Sequence, residues 1–197
     1  MGTTVTPLTL NAGKYTVEEI KTPNGFLDTD PIEFTIKKEY VNDMSEDQDK
    51  YIEVVIENDQ PTGTLKVHKT VEEYNDADTT YIDRKDLTGI AFTLSAKENI
   101  ISAIDGTVLY NKGQTVAVYT TDKAGNITAS DIPMGKYVLK ETGTLPGLVL
   151  DTKEYNVVFE QKDTTTKVYE VSYDIENKST KVEFFKKSVT GRLIGRC

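Results

Sequence analysis

The sequence predicts an all-β chain of tandem sandwiches, and three observations carry that prediction. β-Branched residues are abundant, with 28 Thr and 18 Val among 197 residues, and branching at Cβ favours a pleated, extended backbone over a helix. Apolar and polar residues alternate along short runs from one end of the chain to the other. A set of motifs then recurs at an offset of about 120 residues.

Taken in order, Tyr15-Val17-Glu19 and Ile32-Phe34-Ile36 alternate on either side of a Pro23-Asn24-Gly25 turn, and Ile52-Val54-Ile56 follows them. Leu65-Val67-Lys69 opens the next stretch. Phe92-Leu94, Val116-Val118, Tyr137-Leu139-Glu141, Tyr155-Val157-Phe159 and Val171-Tyr173-Ile175 continue it, punctuated by Asp105-Gly106 and Ala124-Gly125-Asn126. In each run the period of two puts alternate side chains on a single face. Only Ser95 to Ile104 has a helical pattern, and it is short and weak. Most of the 11 Tyr fall on the strand period, where core packing accounts for them. The acidic stretches Asn42 to Lys50 and Asn75 to Asp86 read as solvated loops between strands. Within them, Asp43 to Asp49 and Asp76 to Asp83 have the acidic spacing of calcium loops, yet neither has the Gly at the sixth place or the Glu at the twelfth that such a loop needs.

Composition excludes several classes of function. With 23 Lys and Arg against 32 Asp and Glu, net −9, the chain has no basic stripe to release counterions from a nucleic acid. A single Cys, Cys197, and a single His, His68, rule out internal disulfides, thiolate clusters and a His-rich zinc site. No apolar stretch approaches the roughly 18 residues that span a bilayer, and MGTTVTPLTL has neither the basic nor the apolar part of a signal peptide. As given, the chain reads as soluble, with no membrane insertion; its cysteine usage fits both the cytoplasm and secreted bacterial proteins that avoid cysteine. Without a phosphate loop, a GxSxG or an HExxH, no cofactor and no turnover enzyme is expected.

The repeat organises the rest. Gly13-Lys14-Tyr15-Thr16-Val17-Glu18-Glu19 recurs as Gly135-Lys136-Tyr137-Val138-Leu139-Lys140-Glu141, and each copy is followed by a turn with Pro and Gly (Pro23, Gly25; Pro146, Gly147). Each then closes on Ile-Glu-Asn, at Ile56-Glu57-Asn58 and Ile175-Glu176-Asn177. Beyond each Asn an alternating strand carries a lysine: Leu65-Val67-Lys69, and Val182-Phe184-Lys186. The chain is therefore read as an array sampled out of phase: the back part of one unit over 1–61, a complete unit over 62–180, and the opening strand of a further unit or a tail over 181–197.

At these residues the chain resembles the collagen-adhesin B-type (Cna protein B-type) and related pilin repeats of Gram-positive surface proteins. The resemblance is carried by Gly63-Thr64-Leu65-Lys66-Val67-His68-Lys69, Leu87-Thr88-Gly89-Ile90-Ala91-Phe92-Thr93-Leu94, Thr121 to Ile127, Ile132-Pro133-Met134-Gly135 running on to Glu141, and Asn177. Two departures stand out: the Pro after Glu141 falls one residue later than the Pro after Glu19, and Leu148 stands where the first copy has the aromatic Phe26. The resemblance implies a Greek-key sandwich of transthyretin-like or reversed-immunoglobulin type, exported and attached to a Gram-positive cell wall.

It also implies a role for three residues, an isopeptide cross-link between Lys69 and Asn177 with Glu141 as the catalytic proton relay. Alternation puts Lys69 on the face of Leu65 and Val67, and Glu141 on the face of Leu139 and Tyr137, so both are expected to be buried. Burial disfavours both charges, and the pair can exist as neutral amine and protonated acid. A neutral Lys69 is a nucleophile toward the Asn177 carboxamide; Glu141 polarises the carbonyl and passes a proton to the leaving ammonia. The event occurs once per molecule. Without the family order the same residues read as an ion pair and a turn Asn at strand ends. Lys66 and His68 fall on the opposite, exposed face, and the sequons at Asn126 and Asn177 are discounted as chance matches.

The function expected is a stalk module of a surface adhesin or pilus-like protein, with neighbouring repeats of the same protein as partners. The alternative is the ligand-binding head of an adhesin, which would take host extracellular matrix protein or glycan. The first unit has Glu19 and Asn58 without an upstream lysine strand, an incomplete site, and Lys186 is a lysine without a partner in its own unit.

Overall fold

The computed structural model describes residues 10–38, 53–75, 80–180, 185–187 and 193–196. The elements with both ends among them are all strands. β1 (Gly13–Val17) and β2 (Ile32–Ile36) form an antiparallel pair by themselves, with Tyr15 opposite Phe34. The larger body contains β3 (Thr62–Asn75), β4 (Thr80–Asp83), β5 (Ala91–Ala96), β6 (Ile100–Ile101), β7 (Val108–Tyr110), β8 (Thr115–Thr120), β9 (Asn126–Ile132), β10 (Gly135–Gly143), β11 (Glu154–Phe159) and β12 (Val168–Asn177). β13 (Phe185–Lys187) and β14 (Leu193–Arg196) form a separate hairpin.

Two sheets make the sandwich. In one, β3 is the central strand, parallel to β12 on one side and antiparallel to β9 on the other, with β4 pairing its far end. The other runs β11-β10-β5-β8, all antiparallel. Alternation aims Leu65, Val67, Val71, Ile127, Ala129 and Ile175 from the first sheet at Phe92, Leu94, Tyr137, Leu139, Val157 and Phe159 from the second, and all twelve are buried. This is the two-sheet core that period-two patterning produces.

Local devices repeat between the two halves of the chain. Tyr15 and Tyr137 each donate a hydroxyl hydrogen bond of 2.7 Å to the carbonyl four residues upstream, at Asn11 and Pro133. The turns Pro23 to Phe26 and Leu145 to Leu148 close with the same 3.2 Å backbone bond. The amide of Leu27 bonds to the Asp59 carbonyl at 2.8 Å, and that of Val149 to the Lys178 carbonyl at 2.9 Å.

Four expectations need correction. Ser95 to Ile104 is not helical: β5 ends at Ala96, a bend follows, and β6 begins at Ile100. Among the described residues of the Ile52 to Ile56 run, Val54 and Ile56 are half-buried but form no strand. The counterpart of that run, β12, exists as a strand because β3 pairs with it, whereas no described strand pairs with Val54 and Ile56. In β8 the inward residues are Ala117 and Tyr119, opposite Leu94 and Phe92; Val118 is exposed, and Val116 reaches the core next to a register shift at Leu94/Ser95. The acidic stretch from Asn75 is in part a hairpin, since β3 extends to Asn75 and pairs with β4, Glu72 facing Asp83 and Asn75 facing Thr80. Asn42 to Lys50, Val182 and Phe184 lie outside the described residues.

Burial differs sharply between the halves. The inward residues of β1 and β2 are all half-buried, whereas Leu65, Phe92, Leu94 and Leu139 are wholly buried. Local stability follows buried contacts, so amides of β1 and β2 are expected to exchange with deuterium well before those of β3, β5 and β10. Equal protection in exchange mass spectrometry would refute this.

Candidate functional site

The site lies between the sheets at one end of the core. β3 delivers Lys69, the inward residue after Leu65 and Val67. β10 delivers Glu141 after Tyr137 and Leu139, and β12 ends on Asn177 after Ile175. In the parallel β3-β12 ladder Lys69 faces Ile175 and Val71 faces Asn177, so the lysine and asparagine lie on the same face of neighbouring strands, two rungs apart.

All three polar residues are buried, Lys69 at 0%, Glu141 at 1% and Asn177 at 2% exposure. Lys69 Nζ is 2.5 Å from Asn177 Oδ1 and 3.1 Å from Glu141 Oε2. Asn177 Nδ2 donates to Glu141 Oε1 at 2.6 Å. Glu141 Oε2 makes no aligned hydrogen bond among the described residues, so its approach to Nζ is an electrostatic contact. One carboxyl group thus touches both nitrogens, the lysine amine with one oxygen and the carboxamide nitrogen with the other. Burial pulls the Lys69 amine below its usual basicity, and the neighbouring Glu141 opposes this only in part.

Two further groups shape the site. Thr144 Oγ1 accepts a second bond from Asn177 Nδ2, at 3.1 Å, and so fixes the plane of the carboxamide. The Phe92 ring lies 5.9 Å from Nζ and walls the amine from water. Sequence reasoning missed both. A signal for the threonine was present, since Thr22 and Thr144 each stand three residues after the repeated glutamate. The backbone of Lys69 is anchored by the turn before β9, its amide donating to the Gly125 carbonyl at 2.8 Å. Only glycine serves there, because φ is +85° and a Cβ would lie 2.2 Å from the Lys69 carbonyl oxygen.

The remaining named residues are placed as follows. Lys66 is exposed and pairs with Glu170 at 2.7 Å, and His68 is exposed with Nδ1 2.9 Å from Asn126 Oδ1. Glu19 and Asn58 are brought together in the first unit, Asn58 Nδ2 donating to Glu19 Oε2 at 2.7 Å, and both are half-buried. Lys186 is exposed on β13, opposite Gly195. It is not brought to either site.

The fold has solved counterparts. The Bacillus anthracis TIE protein aligns with 95% of this chain at 20% identity and a TM-score of 0.51, and the alignment takes in 32% of that protein. The minor pilin GBS52 of Streptococcus agalactiae aligns with 91% at 24% identity and a TM-score of 0.42, over 65% of its own length. The Corynebacterium diphtheriae major pilin SpaA aligns with 60% at 19% identity and a TM-score of 0.40, over 31% of its length. The chain therefore spans about a third of the first of these proteins. No curated protein matches it. The sequence matches the SpaA prealbumin-like fold domain over residues 2–59 and 75–188. With most of its length inside that match and a two-sheet all-β sandwich as its fold, the chain belongs to the SpaA prealbumin-like fold domain family.

Proposed function

We propose that this chain is a structural stalk module of a Gram-positive surface adhesin or pilus-like protein, locked by a self-made amide bond between Lys69 and Asn177. The observation that carries the proposal is the double contact of Glu141 with the two nitrogens that such a reaction exchanges. The neutral Lys69 amine attacks Asn177 Cγ and forms the new C–N bond. Its proton passes to Glu141 Oε2. The Cγ–Nδ2 bond breaks as Glu141 delivers a proton from Oε1 to Nδ2, and ammonia leaves. In the orientation described, Glu141 faces the departing nitrogen. A half-turn of the carboxamide exchanges its two atoms and presents the carbonyl to the same carboxyl for polarisation. Fixed strands supply the near-attack geometry that makes an unreactive amide an electrophile.

A stalk needs load-bearing more than recognition, and the placement of the bond serves that need. It ties the first strand of the complete unit, β3, to its last, β12, across 108 residues of chain. Neighbouring repeats of the same surface protein are the partners, and the setting is extracellular and wall-attached.

The test is intact mass under denaturing, reducing conditions. The expected value is the sequence mass less one ammonia, with a branched peptide joining Lys69 to Asn177. A full sequence mass overturns the proposal.

A further inference from the structure

Thr144 stands where the cross-linking scheme above leaves it without a chemical role. β10 turns Glu141 inward and Thr142 outward, where Thr142 meets Thr93 on the exposed face at 2.9 Å. A strict period of two would send Thr144 outward as well. β10 instead ends at Gly143, beside a register shift against β5, and the chain that follows carries the Thr144 hydroxyl back onto the Asn177 carboxamide. Among the described residues two oxygens therefore meet one end of that carboxamide, Glu141 Oε1 at 2.6 Å and Thr144 Oγ1 at 3.1 Å, both on Nδ2. The other end, Oδ1, faces the Lys69 amine.

The two ends of a carboxamide are alike in shape and opposite in polarity. A half-turn about the Cβ–Cγ bond puts Oδ1 where Nδ2 stands, 2.6 Å from the Glu141 oxygen and 3.1 Å from that of Thr144. These are the separations of donors placed around a developing oxyanion. The Glu141 carboxyl in its acid form supplies one such donor. A threonine hydroxyl accepts or donates according to where its hydrogen rotates. That of Thr144 donates to no described residue, so its hydrogen is free to turn to Oδ1. Its counterpart in the first copy differs, since Thr22 spends its hydrogen on Glu19, at 3.3 Å, and on Asp28.

We propose that Thr144 is a second catalytic residue of the cross-linking reaction: its hydroxyl changes from accepting the carboxamide N–H to donating to the carbonyl oxygen, and with Glu141 it forms a two-donor oxyanion site. The proposal deepens the Lys69 to Asn177 reading and rests on it. As Lys69 Nζ bonds to Asn177 Cγ, the π electrons of the carbonyl move onto Oδ1, where the two donors hold them. They return as the Cγ–Nδ2 bond breaks. The proton lost by Nζ passes to Glu141 Oε2, the buried oxygen with no aligned partner among the described residues, and Glu141 returns one to the departing nitrogen, which leaves as ammonia. No further reactant is needed. Burial of Lys69, Glu141 and Asn177 keeps water from competing for the charge on Oδ1, which is the condition under which fixed donors act most strongly.

The experiment follows intact mass with time after a pulse of cell-free synthesis of the full chain, in wild type, Thr144→Val and Thr144→Ser. Thr144→Val keeps the branched shape and loses the hydroxyl, and its ammonia loss is expected to slow by roughly 10²–10³-fold, the usual worth of one oxyanion donor. Thr144→Ser keeps the hydroxyl and is expected to recover most of the wild-type rate. Amide exchange in β3 and β10 reports that both variants are folded. A crystal structure of the mature wild-type protein reads the same contact without any substitution: the oxygen of the new amide is expected within about 3.2 Å of both Thr144 Oγ1 and Glu141. Thr144→Val maturing at the wild-type rate, folded Thr144→Ser as slow as Thr144→Val, or a mature amide oxygen turned away from Thr144 each overturns this proposal and leaves the parent reading standing. A wild-type chain that stays at full sequence mass overturns the parent reading, and this one with it.

Discussion

Glu141→Ala is expected to yield a folded protein that stays at its full sequence mass for hours to days, with cross-linking slowed by roughly 10²–10⁴-fold, the usual worth of a positioned general acid-base. The carboxyl is the only group described that contacts both the Lys69 amine and the Asn177 nitrogen, so its removal takes away the proton's route while leaving nucleophile and electrophile on their strands. Glu141→Gln refines the test, since it keeps the shape and the hydrogen-bonding capacity but cannot relay a proton. Mass measured over time is the readout. Full maturation of both variants at the ordinary rate would sink the assignment of Glu141. The unreacted Glu141→Ala protein also carries a pH signature. Burial lowers the Lys69 pKa from its ordinary 10.5, and the variant lacks the counter-charge that opposed this shift. Between the lowered folded value and 10.5 the unfolded chain binds the extra proton, so stability rises with pH through that window and falls as pH drops through it. A thermal series across alkaline pH reads the sign.

Asn177→Ala is expected to change the mechanics of the complete unit outright. β3 and β12 run parallel, and a pull on the two ends of the unit enters β3 at Thr62 and leaves β12 at Asn177, at opposite ends of the shared ladder. With the bond in place the load passes from Lys69 directly to Asn177, 108 positions further along, and the chain between them carries no tension. Wild type should therefore show no lengthening from this unit under force. The variant should unfold in one step and release roughly 360 Å, from about 3.3 Å per residue of extended chain. Loss of the loop constraint costs about 4 to 5 kcal/mol by analogy with a cross-link closing a loop of this size. In heating that amounts to a fall of about 15–25 °C in Tm. The same release length from wild type would show that no bond bears the load.

Much of this was legible in the sequence because a strand's period is an integer. Once Leu65 and Val67 are inward, Lys69 must be, and the same holds for Glu141 after Tyr137 and Leu139. The period also assigned Lys66 and His68 to the outer face, where they lie. It failed where pairing partners or register shifts decide the outcome. Val54 and Ile56 alternate as well as Tyr173 and Ile175 do, yet only the latter form a strand, because a ladder needs a neighbour and none pairs with Val54 and Ile56 among the described residues. In β8 the pairing with β5 turns Ala117 and Tyr119 inward and Val118 outward, and the register shift at Leu94/Ser95 lets Val116 reach the core, so the regular Val116-Val118 alternation gave the wrong side for Val118.

The sequence by itself determined the class of fold, the repeat and the inward side of each main strand, since these depend on residue type and on a period of two that holds along one strand. It also put Lys69 and Glu141 on the inward side of their strands, and the family resemblance picked out Asn177. Only the tertiary structure decided that the three side chains meet, because that depends on register between strands distant in sequence, set by the parallel β3-β12 ladder, the β10-β5 pairing and the Gly125 turn. The same long-range packing brings Thr144 onto the carboxamide and Phe92 beside the amine. It also distinguishes the two halves of the chain, for Glu19 and Asn58 meet as Glu141 and Asn177 do, while among the described residues the full burial and the lysine partner are found only around Glu141 and Asn177.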